Sequence, residues 1–309
     1  MEILTQYKNW LLAKQYSDKT IRCYGMRVER YLKHFPDPAG IKQEHIQTYL
    51  LDLYSNGNSR TTMEGVFFTL KNFYNFLAIS GHGGLQLNEN PLKYLMPVKR
   101  EKRIPKIIPE DDLSAMLRAP DLKTVRGCRD YVIMLFLLHG LRAEELCNLD
   151  IEDIFEDGWG ASRRMFINVK GKGRKERRVT VEQKGPTKWA WGRYMEKRNG
   201  QGSQIAFPAI IGKHFKRITP NGLYKLLARY GTKLRIEHVN PHLWRHTTAV
   251  KLIEDGVSIK EVQIRLGHET VATTEKYVQA AAILQENAAN STWIARIKQA
   301  GDRFRRWRN

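Results

Sequence analysis

Acidic residues are scarce in this chain: 32 Asp and Glu stand against 52 Lys and Arg, a formal net charge of +20 over 309 residues. A cation excess of that size points to a polyanionic partner, nucleic acid first. Cysteine is scarcer still. Cys23, Cys128 and Cys147 are an odd set without metal-ligand spacing, so a disulfide framework is excluded and reduced thiols in a cytoplasmic protein are expected. Long apolar runs are missing, the longest ("YVIMLFLLHGL") being about half of what a bilayer span needs. The N-terminus "MEILTQYKNWLLAKQYSDKT" carries charge too early and too often for a signal peptide. Internal repeats and low-complexity tracts are also missing. What is present, 42% hydrophobic and 27% charged residues, is the make-up of a soluble globular protein, long enough for two domains with separate cores.

Residues 1 to about 95 read as almost purely helical. In "SDKTIRCYGMRVERYLKHF" the apolar positions Ile21, Tyr24, Val28, Tyr31, Leu32 and Phe35 recur at helical spacing behind a Ser17 cap. "IKQEHIQTYLLDLYSNG" and "SRTTMEGVFFTLKNFYNFLAISG" repeat the pattern, each running out at a glycine. The segment "PVKREKRIPKIIPEDDL" interrupts it with three prolines, and the cations Lys99, Arg100, Lys102, Arg103 and Lys106 precede a helix start after Pro109. It reads as an extended basic linker. The second half mixes types: "CRDYVIMLFLLHG" predicts a buried helix stopped at Gly140, and "RRMFINVKGKGRKERRVTV" predicts two strands around Gly171-Lys172-Gly173. "TPNGLYKLLARYG" opens with a Thr219 cap and Pro220, and further helices follow, punctuated by Gly256 and Gly267.

Several residues here could act on a phosphate. His242 and Arg245, three apart, share a helix face at roughly 5–6 Å between Cβ atoms. A guanidinium offers a planar fork to two phosphate oxygens, and an imidazole can pass a proton. Arg142 enters a helix, where free backbone N–H groups also favour an anion. Two arginines on one phosphate would stabilise the extra charge of a five-coordinate transition state. Lys172 could protonate a leaving oxygen, and Tyr277 has a hydroxyl suited to covalent catalysis. Each also has an ordinary reading: a solvated arginine, a lysine in a turn, a packed tyrosine. His242 and His246 have the i, i+4 spacing of zinc ligands, but no Glu lies between them in the zincin pattern, and no metal is expected.

Order and spacing add to these readings. "GLRAEEL" (140–146), "VKGKGRKERRVTV" (169–181), "PHLWRH" (241–246) and "LGHETVATTEKYV" (266–278) resemble the boxes of the tyrosine recombinases, or phage integrases, in that family's order. "TIRCYGMRVERYLKHF" resembles its N-terminal core-binding domain, so the likeness covers about residues 1–280. The nearest form is the Xer-like, two-domain one, in which no arm-binding domain is expected before residue 1. The implied fold is mainly α with a small β-sheet: a four-helix SAM-like core-binding domain plus an α+β catalytic domain. The expected limits are 1–96 for the DNA clamp, 97–109 for the linker, 110–280 for the catalytic domain and 281–309 for a tail.

The resemblance matches Arg142, Lys172, His242, Arg245, His268 and Tyr277 to the six catalytic positions, and Glu145 to a supporting acid; Glu144 stands where many relatives carry Ser. It implies that Tyr277 attacks a scissile phosphate to form a 3′-phosphotyrosyl link. Arg142, Arg245 and His268 would hold the phosphoryl oxygens, Lys172 would protonate the departing 5′ oxygen, and His242 would assist proton transfer near Tyr277. No cofactor is implied, because the protein link conserves the bond energy. Expected partners are double-stranded DNA with an inverted-repeat core site, accessory proteins, and three further copies. A homotetramer on two duplexes would exchange strands through a Holliday junction, and a monomer or weak oligomer would remain without DNA. Lys99, Arg100, Lys102, Arg103, Lys106, Arg174 and Lys175 are the expected DNA contacts. The tail, with Trp293, Ile294, Ile297, Phe304 and Trp307 at helical spacing, is expected to dock on a neighbouring protomer, with a DNA contact or a plain surface helix as alternatives. Integration, excision or resolution of a mobile element or replicon would be the outcome, in the cytoplasm at the nucleoid and with no membrane role. A type IB topoisomerase and a non-catalytic DNA-binding regulator are the competing readings.

Overall fold

The apolar period behind Ser17 forms a helix, as the spacing predicts, and Ser17 caps it by accepting from the Thr20 N–H. A computed structural model of the chain describes residues 2–86, 90–97, 105–159, 163–171, 176–181, 185–198, 203–211 and 214–287. It divides into two units, Met1–Lys102 and Arg103–Asn309. Among the described residues the first holds four α-helices, α1 (Glu2–Ala13), α2 (Asp18–His34), α3 (Gln43–Ser55) and α4 (Arg60–Ile79). Gly57 and Gly81 follow α3 and α4 with φ of +81° and +67°, a left-handed conformation that a side chain would resist. Val28, Tyr31, Ile46, Phe67, Leu70, Phe73 and Tyr74 fill the core between these helices. Ile21, Tyr24, Leu32 and Phe35 pack against it half-buried.

The second unit begins with chain that the sequence reads as linker. Ile108 is buried there, and its N–H donates to Thr247 Oγ1 at 2.8 Å. Then come α5 (Glu110–Arg118), α6 (Val125–Leu138) and α7 (Ala143–Asn148). Every residue of α6 from Gly127 to Leu138 is buried, so this helix is the axis of the core, and Gly140 ends it at φ +82°. Strands β1 (Ile154–Asp157), β2 (Arg164–Lys170) and β3 (Glu176–Val181) form an antiparallel sheet in the order β1-β2-β3. Met165, Ile167 and Val169 alternate inward along β2, and Lys170 pairs with Glu176 where the hairpin opens. After α8 (Thr187–Arg198), β4 (Pro208–Ile211) and β5 (His214–Arg217) pair as a second hairpin. The chain then runs through α9 (Pro220–Leu234), α10 (Pro241–Glu254), α11 (Ile259–Leu266) and α12 (Ala272–Asn287). Thr219 caps α9 through the Gly222 N–H, with Pro220 in its first turn. The fold class is therefore the expected one, mainly helical with small antiparallel sheets. Among the described residues, no helix is long and apolar enough to cross a membrane.

Candidate active site

Asn240 caps α10 by accepting from the Leu243 N–H, and the helix turns Trp244, Arg245, Thr247 and Thr248 inward. Arg245 is thereby only 4% exposed, and it spans two turns of the chain. One terminal nitrogen donates to the Gly140 carbonyl, just ahead of Arg142, and the other to the Leu266 carbonyl, just ahead of His268. Burial, with Arg142 close by, pushes its pKa down to about 9, which leaves it protonated at neutral pH.

Arg142 stands at the start of α7 and donates to the Gly267 carbonyl at 2.6 Å. Its second terminal nitrogen donates to Glu145 Oε1 at 2.7 Å, and its backbone N–H donates to Glu145 Oε2 at 2.6 Å. The Arg142 N–H at the start of α7 is thus taken by the protein's own carboxylate, and Arg142 offers its side chain. That side chain is 38% exposed, the open side of the cluster.

Glu145 has a second partner that sequence reasoning missed. Arg177 on β3 grips both carboxylate oxygens, Nη1 on Oε1 at 2.6 Å and Nη2 on Oε2 at 2.9 Å. Burial would raise the Glu145 pKa, but the bonds from Arg177 and Arg142 overcome it and hold the carboxyl at about 2. Two guanidinium groups on one carboxylate, with the Arg245 charge close by, leave a surplus of positive charge.

Gly267 ends α11 at φ +64°, which sets His268 beside the cluster. His268 Nδ1 pairs with Thr274 Oγ1 at 2.8 Å, and the ring stacks on Tyr277 with centroids 6.2 Å apart. Burial, then Arg245 and Arg142, lowers the His268 pKa to about 4, so the ring is neutral at pH 7. Tyr277 on α12 is 2% exposed among Leu252, Val262, Leu266, Ala280 and Ala281. Burial raises its pKa while Arg245 and Arg142 pull it down, so the phenol keeps its proton at neutral pH.

Arg142, Arg245, His268, Tyr277 and Glu145 are therefore brought together. His242 lies in the first turn of α10 with its side chain exposed, and His246, one turn on, has its ring against Tyr277 at 5.5 Å. Among the described residues no group of three or more His, Cys, Asp or Glu could hold a metal. Lys106 is described and exposed. Lys172, Lys99, Arg100, Lys102, Arg103, Arg174, Lys175 and the tail 291–309 lie outside the described residues.

Comparison with known proteins agrees with this geometry. Residues 106–282 match the phage integrase family, and residues 4–81 match the phage integrase N-terminal SAM-like domain. The chain belongs to the phage integrase family. Among curated relatives it is 30% identical over 287 residues to tyrosine recombinase XerD of Staphylococcus epidermidis (strain ATCC 35984 / DSM 28319 / BCRC 17069 / CCUG 31568 / BM 3577 / RP62A), covering 89% of this chain and 92% of the relative. It is also 30% identical over 284 residues to tyrosine recombinase XerA of Pyrococcus furiosus (strain ATCC 43587 / DSM 3638 / JCM 8422 / Vc1), covering 91% and 90%. In fold it resembles XerH site-specific recombinase, solved bound to a palindromic difH substrate, with a TM-score of 0.71 at 19% identity over 89% of this chain and 80% of that one. The protein is a site-specific tyrosine recombinase, an enzyme, and these relatives do not favour the topoisomerase or the non-catalytic regulator.

Proposed function

We propose that Tyr277 is the nucleophile of DNA strand cleavage and that Arg142, Arg245 and His268 hold the scissile phosphate. The observation that carries this is the convergence of two arginines and a neutral imidazole on one buried phenol. In the step, the Tyr277 oxygen bonds to phosphorus, its proton leaves, and the 5′ oxygen departs with a proton supplied by Lys172. One phosphodiester is exchanged for another, so the reaction needs no external energy source. The surplus positive charge stabilises the five-coordinate phosphorus. His242 assists proton transfer near Tyr277, and Glu145 orients Arg142.

The substrate is double-stranded DNA carrying an inverted-repeat core site. Residues 1–96 clamp it, the basic segment 97–109 crosses it, and 110–280 cut it, with Lys99, Arg100, Lys102, Arg103, Lys106, Arg174 and Lys175 on its phosphates. Four copies on two duplexes exchange strands through a Holliday junction, each passing the end of its tail, 291–309, to a neighbour. Integration, excision or resolution in the cytoplasm, at the nucleoid and with accessory proteins, is the outcome. That XerH was solved on a palindromic DNA substrate supports the choice of partner. The test is covalent capture: wild type and Tyr277→Phe are incubated with fragmented DNA from the cells that encode the protein, stopped with detergent, and the linked ends sequenced. Links at a few paired sites with an inverted repeat, lost in Tyr277→Phe, are expected. Scattered links without a common sequence would contradict the reading.

A further inference from the structure

Arg177 is a strand residue whose neighbours Arg174, Lys175 and Arg178 make it look like one more cation facing DNA. Its surroundings differ. The side chain is 14% exposed, and all three guanidinium nitrogens donate to the protein. Nη1 and Nη2 take the two oxygens of Glu145, and Nε donates to the Arg265 carbonyl at 3.2 Å. At Gly267 a Cβ would lie 3.1 Å from Arg177 Cδ and Nη1, so the glycine lets this side chain lie flat against the turn before His268. Arg177 pairs with Val169 across β2 and β3, the two strands that flank Lys172 in the sequence.

We propose that Arg177 is a positioning residue for strand cleavage: it fixes Glu145, and through that carboxylate Arg142, and braces the Gly267 turn that presents His268. Because it also belongs to β3, it sets the lysine hairpin and the phosphate-binding arginines in one frame. There is an electrostatic reason as well. Glu145 paired with Arg142 alone would cancel the charge that Arg142 brings to the phosphate, and a second guanidinium on the same carboxylate restores it. Lysine cannot replace this fork, since an ammonium is a point charge without two parallel donors. The inference rests on the reading of Arg142 and His268 as phosphate ligands.

The experiment uses the full chain and a nicked duplex carrying a captured core site. Wild type, Arg177→Met, Arg177→Lys and Tyr277→Phe are compared for DNA affinity, for linking rate at saturating DNA, and for melting temperature. Arg177→Met is expected to bind DNA within about twofold of wild type and to link on the order of a hundredfold more slowly, with Arg177→Lys between them. The ratio of variant to wild-type rate should fall as the pH drops from about 8 to about 5, because Glu145 without its fork titrates nearer the ordinary carboxylate range. Arg177→Lys keeps the test readable if Arg177→Met does not fold. A loss confined to affinity would make Arg177 a DNA contact and overturn the proposal, as would an unchanged rate or a pH-independent ratio. A link surviving in Tyr277→Phe would overturn the site reading and this proposal with it. Without DNA, the Glu145 carboxyl followed by 13C NMR, assigned with Glu145→Gln, should titrate at higher pH in Arg177→Lys; an identical titration would overturn the proposal.

Discussion

The imidazole of His246 packs on the phenol ring of Tyr277, with centroids 5.5 Å apart and planes tilted by 59°. His268 stacks on the same ring at 17°. Both imidazoles have a pKa lowered to about 4: burial leads in each, followed by Lys276 for His246 and by Arg245 and Arg142 for His268. In the unfolded chain an imidazole titrates near 6.5, so as pH falls the unfolded state takes up these protons first. The stability held by the two neutral rings is complete above about pH 6.5 and is lost towards about pH 4. Urea midpoints should therefore drop across that window, and drop less in His246→Asn and His268→Asn.

Glu145 acts in a lower window. Its pKa is depressed from 4.5 to about 2, so its contribution is present above about pH 4.5 and disappears as pH falls through 2. The buried carboxylate is worth on the order of 3 kcal/mol at neutral pH. Glu145→Gln should lose about that much at pH 7 and flatten the acid limb of the stability curve. Denaturant titrations at a series of pH values read both effects.

Arg245 makes a sharper chemical prediction. Its fork joins the Gly140 and Leu266 carbonyls, so the turn before Arg142 and the turn before His268 share one brace. Lysine would keep the charge and lose the fork. Arg245→Lys is expected to bind DNA nearly as wild type does and to form the covalent link roughly a hundred- to a thousandfold more slowly. Filter binding and single-turnover linking on one duplex separate the two quantities.

How much of this was legible beforehand varies with the range of the interaction responsible. The caps Ser17 and Thr219 and the stops at Gly140 and Gly267 are local, and each does what its residue type predicts. β1, β4, β5 and α8 carry no clear sign in the sequence. The apolar residues of α8, such as Trp189, Ala190, Trp191 and Tyr194, cluster without a clean helical period and mix with cations. In the site, Arg142, Arg245, His268, Tyr277 and Glu145 meet, Lys172 lies outside the described residues, and His242 sits one turn before His246 with its side chain exposed. Arg177 escaped because its partner Glu145 lies 32 residues away, and in a basic run one arginine looks like the next. The available signal was the alternation of β3, where Arg177 is half-buried between two exposed neighbours. For His246 the sequence offers only its zinc-ligand spacing from His242, since its contact with Tyr277 depends on how α10 and α12 pack.

Charge predicts the salt response. With a net charge of +20, about ten cations on phosphates would give a slope near −9 in log K against log salt. Affinities measured across a salt series should show a slope of that order. Neutralising one contact, as in Lys106→Ala, should reduce it by about 1.

The most direct test of the account is the chemistry of the cut end. A duplex carrying a captured site is labelled at either end of the cleaved strand, treated with enzyme, stopped with detergent, and digested with protease. The account predicts a peptide containing Tyr277 on the 3′ phosphate, a free 5′ hydroxyl that accepts phosphate from a kinase, and neither product in Tyr277→Phe. A peptide on the 5′ side, or a link that survives Tyr277→Phe, would contradict it.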